Sequence, residues 1–136
     1  MTPVWGFPAY GLLITGPYAA VVLSITLSQR LAFNAIVAGF TLQGLGFLLS
    51  LMIYSAFIFR LQTQKLPSES ARPAVFVSVG PCGFTVAGIL GLAEKIPRAL
   101  PPDGLMGDAN LTASVFQIIA TWSMHWVWGM ALWFFF

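Results

Sequence analysis

The sequence predicts an all-α, polytopic membrane protein, and three observations carry the prediction. Of its 136 residues, 58% are hydrophobic and only 7% are charged, whereas soluble domains are about 25% charged. The charged residues lie between the long apolar runs or at their ends, as expected if a charge at the bilayer centre costs about 2.5–3.5 kcal/mol. Each run also reaches the ~20 residues that cross the hydrocarbon core.

Four apolar segments are long enough to cross a bilayer, and we call them spans A to D. In chain order they cover residues 4–27, 33–59, 73–92 and 111–136 of a single transmembrane domain. Pro73 is expected to be the first helical residue of span C, where its missing N–H costs nothing. The connection over residues 93–110 contains three prolines and two glycines, so we expect it to be irregular. Asp108 or Asn110 is the predicted N-cap of span D.

Span C has two unlike sides. Residues at alternating spacings of four and three share one small, polar face of the helix, namely Ala74, Ser78, Pro81, Thr85 and Gly88. The opposite side is aliphatic. Span A repeats the pattern, and each of the two spans contains a central Gly-Pro pair, Gly16-Pro17 and Gly80-Pro81. Proline removes a backbone hydrogen bond and bends a helix. We therefore predict two hairpins, each with a kinked first helix that faces inward.

The small, polar faces of spans A and C are candidates for the lining of a path. The candidate path residues are Pro17, Ala20, Ser24, Ser78, Gly80, Pro81, Phe84, Thr85 and Gly88. Hydroxyls, backbone groups freed at the kinks and helix dipoles bind a passing anion weakly, which conduction requires. A packing seam between helices would use the same residue types, and composition by itself favours neither interpretation.

Span B contains no proline and carries a stripe of small and polar residues, Gly39, Gln43, Gly46 and Ser50. Small residues let helices approach closely in a membrane, and Gln43 can form a hydrogen bond across such a contact. We interpret the stripe as a helix-packing seam. Span D carries Trp122, Trp126, Trp128 and Trp133, and such clustering predicts an outer helix that faces lipid.

Several classes of function find no support in the chain. No span contains a carboxylate, so there is no acid–base pair within the membrane, and we expect no enzymatic activity. His125 and Cys82 are single residues of their kinds, so we expect neither a metal site nor a cofactor. The net charge of +2 is small and dispersed, which argues against a nucleic-acid partner.

Four stretches carry a family resemblance: MTPVWGFPAYGLLITGPYAA, LQTQKLPSESARP, VFVSVGPCGFTVAGI and WVWGMALWFFF, at residues 1–20, 61–73, 75–89 and 126–136. They resemble the tellurite-resistance/dicarboxylate transporter family, which includes bacterial tellurite-resistance proteins, fungal malate permeases and plant slow anion channels. The malate-permease branch looks most similar, and the sulfite-efflux branch ranks second. Cys82 departs from the family pattern, in which a small residue without a thiol is commoner.

The resemblance implies a fold of ten helices in five hairpins, with proline-kinked inner helices around a central pore. The chain would supply helices five to eight, with spans A and C inside. The implied function is transport of organic anions, most simply C4-dicarboxylates such as malate, across the plasma membrane. Loop 61–72 would be cytoplasmic, the partners would be lipid and a small organic anion, and homo-oligomers are compatible with the fold. The family's pore-blocking phenylalanine would follow Phe136, so the role is not transferred to Phe84.

Three further interpretations stay open on the sequence. A sulfite-efflux protein or an anion channel of the same family fits the same motifs. The chain ends inside an apolar run, so we expect a piece of a longer protein, which by itself would not transport. A small four-helix membrane protein with a structural or assembly role, or a non-functional truncated transporter, would also fit.

Overall fold

The computed structural model describes residues 3–25, 28–64, 68–102, 105 and 107–135, and the regular elements within them are all helical. Five α-helices and two 3-10 segments follow in chain order: a 3-10 segment Pro3–Gly6, α1 Phe7–Leu13, α2 Thr15–Val22, α3 Gln29–Thr63, a 3-10 segment Glu69–Ser78, α4 Val79–Ala99 and α5 Ala109–Phe135. The predicted all-α class is confirmed. The predicted ends of spans A and D, at Leu27 and Phe136, lie outside the described residues.

Two of the described helical stretches are both long and apolar enough to cross a membrane, Gln29–Thr63 and Val75–Ala99. The apolar stretch Phe7–Val22 is shorter. Helix α5 has 27 residues, or about 40 Å at 1.5 Å per residue, which exceeds the ~30 Å hydrocarbon core. Because two described stretches meet both criteria, the predicted count of four membrane crossings stays a prediction.

Both Gly-Pro pairs lie in the first turn of an α-helix. Span A is two helices separated at Ile14, and Gly16 and Pro17 are the second and third residues of α2. Span C begins as a 3-10 segment, and Gly80 and Pro81 hold the same two positions in α4. The first N–H groups of a helix have no partner within it, so a proline there removes no hydrogen bond of the α-helix.

Two predicted boundaries in span C are wrong. Pro73 lies inside the 3-10 segment Glu69–Ser78, and the α-helix begins only at Val79. At the other end α4 continues through Pro97 to Ala99, although residues 93–110 were expected to be irregular. Proline this close to a helix end removes one backbone hydrogen bond. Burial of Ile96 and Ala99 in the core offsets that loss.

The helices form two antiparallel hairpins whose first members are parallel neighbours. Leu12 lies close to Gly46, and Ala19 lies close to Gly39, so α3 is antiparallel to α1 and α2. Pro17 approaches Gly88 and Ala20 approaches Gly91, so α2 and α4 run in the same direction. Helix α5 returns along α4, and the main apolar core lies between α3, α4 and α5.

Helices α3 and α5 flank α4 on its outer side. They enclose a groove of about 630 Å³ with Ile89, Leu92 and Ile96 as its floor. Trp122, Trp126, Trp128 and Trp133 of α5 are all exposed, which is the arrangement expected of an outer helix. Cys82 is fully buried on the side of α4 that faces α5.

Asp108 caps α5, as one of the two predicted candidates. Its Oδ1 accepts hydrogen bonds from the N–H groups of Asn110 at 2.8 Å and Leu111 at 3.2 Å. We expect Asp108→Ala to lower the free energy of unfolding by about 1 kcal/mol, measured as the midpoint of thermal unfolding in detergent. Asp108→Asn keeps the acceptor oxygen and is the matched control. Equal destabilisation by both variants would contradict the capping role.

Candidate functional site

The polar centre of the molecule is a hydrogen-bonded bridge through Gln43. Its side-chain oxygen accepts a hydrogen bond from the Gly16 N–H at 3.2 Å, and its Nε2 donates to Thr85 Oγ1 at 3.1 Å. Gln43 is 0% exposed and Thr85 is 3% exposed. One side chain from α3 therefore connects the start of α2 to the middle of α4.

Two glycines leave room for this bridge. A Cβ added to Gly16 would lie 2.5 Å from Gln43 Oε1. A Cβ added to Gly88 would lie 2.8 Å from Pro17 Cδ and 3.0 Å from Gln43 Oε1. Both distances from Gly88 are shorter than side-chain carbons normally tolerate, so the three helices can meet here only through glycine.

The second Gly-Pro pair is covered by a tyrosine. The Tyr10 hydroxyl donates a hydrogen bond to the Val77 carbonyl at 2.9 Å and lies against Gly80. Its ring meets Phe84 edge-on, with the centroids 5.8 Å apart. Each Gly-Pro glycine is thus covered by a polar side chain from a neighbouring helix, Gln43 at Gly16 and Tyr10 at Gly80.

The sequence did not assign these roles to Tyr10 and Gly16. Tyr10 shares a helical face with Pro17 and Ala20, which places it on the inner side of span A but gives no hydroxyl partner. Gly16 stood out only as half of a Gly-Pro pair. The Gly16 N–H needs a hydrogen-bond acceptor because it belongs to the first turn of α2, where N–H groups have no partner within the helix. The sequence did not reveal that a helix begins there.

The predicted path residues divide into two groups. Four are buried where α4 packs against its neighbours, namely Ser78, Pro81, Thr85 and Gly88. The other five keep exposed or half-exposed surface, namely Pro17, Ala20, Ser24, Gly80 and Phe84. The face that the helical periodicity selected on span C therefore includes the side of α4 that contacts α2 and α3, through Gly88 and Thr85, and Phe84 lies at its edge.

The stripe on α3 is buried along its whole length. Gly39, Gln43, Gly46 and Ser50 lie on the side of α3 that contains its buried residues. A Cβ on Gly46 would lie 2.8 Å from Leu12 Cβ and 3.0 Å from the Leu13 nitrogen. Ser50 donates its hydroxyl hydrogen to the Gly46 carbonyl of its own helix at 2.9 Å. The stripe thus contacts α1 and α2 through small side chains.

Most polar groups near the helix starts already have partners. The Gly16 N–H bonds to Gln43, Thr15 Oγ1 donates to the Leu12 carbonyl at 2.5 Å, and Thr85 accepts from Gln43. Within the described part of the chain, the buried hydroxyl of Ser78 has no hydrogen-bond partner. The partnered groups therefore hold the seam between the helices together.

The large groove between α3 and α5 does not fit an anion. Its lining is mostly aliphatic and aromatic, and among the described residues the side chains with polar atoms are those of Thr41, Thr85, Ser123 and Trp126. An anion without hydrogen bonds or a counter-charge is strongly disfavoured in such surroundings. The described residues also contain no group of three His, Cys, Asp or Glu that could hold a metal ion.

The described helices form two hairpins with parallel first helices and a seam built from glycine, and two of their stretches are long and apolar enough to cross a membrane. The chain belongs to the SLAC1 family, described as voltage-dependent anion channels, whose model matches residues 1–136. This confirms the resemblance drawn from the four sequence stretches.

Two curated relatives come from the fission yeast Schizosaccharomyces pombe. The "Malic acid transport protein" is 27% identical over 132 residues, which are 97% of this chain and 29% of the relative. The "Putative malic acid transport protein" is 29% identical over 130 residues, which are 96% of this chain and 29% of the relative. The chain thus spans under a third of the length of these relatives. No solved structure matches it significantly.

Proposed function

We propose that the protein containing this chain transports small organic anions across a membrane, with C4-dicarboxylates such as malate as the substrate class. The observation that carries the proposal is the family match over the whole chain. The names of both relatives, which describe malic acid transport, support the choice of substrate. The parallel packing of α2 and α4 supports a role for these two helices as neighbouring walls of one path.

We place the path along the accessible edges of α2 and α4. Among the predicted path residues, Ser24 and Phe84 are exposed, and Pro17, Ala20 and Gly80 are partly exposed. In this arrangement the buried residues do not face the path but pack α4 against its neighbouring helices; they are Ser78, Pro81, Thr85 and Gly88. Such a path has small side chains, one hydroxyl and one aromatic edge. It offers an anion weak contacts and no fixed positive charge.

The membrane is proposed to be the plasma membrane, with loop 61–72 on the cytoplasmic side. Arg60 precedes this loop and Arg72 ends it. Charge by itself leaves the orientation undecided, because Arg60, Lys65 and Arg72 in or beside this loop are matched by Arg30, Lys95 and Arg98 in the other two connections. The proposed cytoplasmic position of loop 61–72 therefore rests on the family resemblance.

Flux of malate into liposomes tests the proposed activity. The full-length protein containing this chain, reconstituted and given a malate gradient, is expected to take up radiolabelled malate well above protein-free liposomes. Flux of sulfite without malate would contradict the substrate class and favour the sulfite-efflux branch. Absence of any anion flux from folded, reconstituted protein would overturn the transport function and leave the structural or assembly role.

Cysteine accessibility tests where the path lies. Cys82, the single cysteine of residues 1–136, is fully buried and is expected not to react with a charged, water-soluble thiol reagent. Cysteines of the full-length protein outside these residues are replaced first, and transport in that background is expected to resist the reagent. Phe84→Cys and Ser24→Cys are expected to lose at least half of their flux on treatment, because their thiols face water. Ile118→Cys is the matched control, since Ile118 is 58% exposed on the outer helix α5 and would face lipid. Block at Ile118→Cys alone would contradict the placement.

A further inference from the structure

We propose that Gln43, on the outer helix α3, is the positioning residue that fixes the spacing of the two helices lining the anion path. The inference rests on the proposed function, and it adds a residue that lies outside the path itself. Gln43 would determine which anions pass because it determines where α2 stands relative to α4.

The geometry gives Gln43 two partners on two different helices. Its amide oxygen accepts the Gly16 N–H of α2, and its amide nitrogen donates to Thr85 Oγ1 of α4. The bonds run in opposite directions, so the amide must present its oxygen to one helix and its nitrogen to the other. An apolar side chain of the same length can form neither bond, and a carboxylate would have to reverse the second bond and accept from the Thr85 hydroxyl.

The surroundings leave the side chain little freedom. Gln43 is completely buried. Gly16 and Gly88 sit so close to its amide that an added Cβ would come within 2.5 Å and 3.0 Å of Oε1. In an apolar membrane interior, a polar group that loses its partner finds no water to replace it. The bridge is therefore held by packing from both sides as well as by its hydrogen bonds.

The location of the bridge explains its effect on the path. Gly16 is in the first turn of α2, where the helix starts afresh after Ile14. The backbone ladder is weakened there, because the Gly16 N–H bonds to Gln43 and Pro17 has no N–H, although the Ile14 N–H still bonds to the Tyr10 carbonyl and the Tyr18 N–H to the Ile14 carbonyl. A helix with missing ladder bonds can bend at that point. The bond from Gln43 to Gly16 holds the new start against α4, one residue before Pro17. Loss of that bond would let α2 move relative to α4 without unfolding either helix.

Disulfide formation between α2 and α4 reads out their spacing without any transport assay. A Cβ on Gly91 would lie 3.0 Å from Ala20 Cβ, and disulfides join Cβ atoms about 3.8 Å apart. The reporter is the full-length protein with Ala20→Cys, Gly91→Cys and Cys82→Ala, oxidised in membranes. We expect Gln43→Leu to slow cross-linking at least threefold. The matched control, Gln117→Leu, replaces an exposed glutamine of α5 and is expected to leave the rate unchanged.

The anion selectivity of transport distinguishes a positioning role of Gln43 from a merely structural one. In the protein without engineered cysteines, we expect Gln43→Leu and Thr85→Val to change the ratio of malate flux to nitrate flux at least threefold. Thr85→Ser retains the hydroxyl and should keep the original ratio. If Gln43→Leu does not fold, Thr85→Val provides the same comparison with only one bond removed.

Each outcome decides one of the two proposals. Unchanged cross-linking in both Gln43→Leu and Thr85→Val would overturn the positioning role, whatever the flux. Slower cross-linking with an unchanged flux ratio would also overturn it, because the spacing would then not govern the path. Absence of anion flux in the unaltered protein would instead overturn the transport function, and the cross-linking result would still show whether Gln43 sets the spacing.

Discussion

Replacing Gly88 with valine is expected to lower the free energy of unfolding by about 3 kcal/mol, the upper end for overpacking a tight contact. The added Cβ would lie 2.8 Å from Pro17 Cδ and 3.0 Å from Gln43 Oε1. Neither neighbour can withdraw easily, because proline is a rigid ring and Gln43 is held by two hydrogen bonds. The helices must therefore separate, and we expect the proposed malate transport by the full-length protein to fall more than tenfold.

Gly83→Val is the matched control for this prediction. Gly83 is exposed on the same helix, and a Cβ there would meet nothing within 4 Å. Both substitutions introduce the same β-branched residue into α4, so the effect on helix propensity cancels in the comparison. The midpoint of thermal unfolding in detergent, followed by tryptophan fluorescence, measures the difference. Equal shifts for the two variants would show that Gly88 is not at a tight contact.

Truncation of Leu92 to alanine is expected to cost about 2 kcal/mol of stability. Leu92 is 1% exposed and belongs to the apolar core between α3, α4 and α5. Buried leucines in soluble proteins lose about 2–5 kcal/mol when cut to alanine. A membrane protein should lie at the low end, because lipid tails are as apolar as leucine and only the lost packing remains.

Leu90→Ala is the matched control on the same helix. Leu90 is 38% exposed, so its truncation should change the unfolding free energy by less than about 0.5 kcal/mol. Thermal unfolding in detergent again provides the measurement, and a second measurement in lipid nanodiscs restores the apolar surroundings. A loss at Leu90 as large as at Leu92 would contradict the assignment of which side of α4 is packed.

The sequence predicted the class of fold and the family because both depend on properties repeated along the chain. Apolar runs separated by charged connections indicate membrane helices whatever their packing. The sequence singled out the two Gly-Pro pairs, but it did not reveal their structural role. Pro17 and Pro81 are in the first turns of α2 and α4, whereas the sequence suggested bends within continuous helices.

Helical periodicity identified which residues share a face, but it gave no information about what that face contacts. Ser78, Thr85 and Gly88 do lie on one side of span C, and the structure turns that side toward α2 and α3. A small, polar face is equally suited to a path and to a seam. The distinction depends on the positions of other helices, which a single helix does not encode.

The sequence by itself determined that this chain is helical, apolar and related to anion channels, and it selected Gln43, Thr85 and Gly88 as unusual residues in apolar spans. Only the tertiary structure decided that these three meet. Gln43 and Thr85 are 42 residues apart in the chain and 3.1 Å apart in space. The bond forms where α3 packs against the parallel helices α2 and α4, and glycines at the contacts allow that close approach.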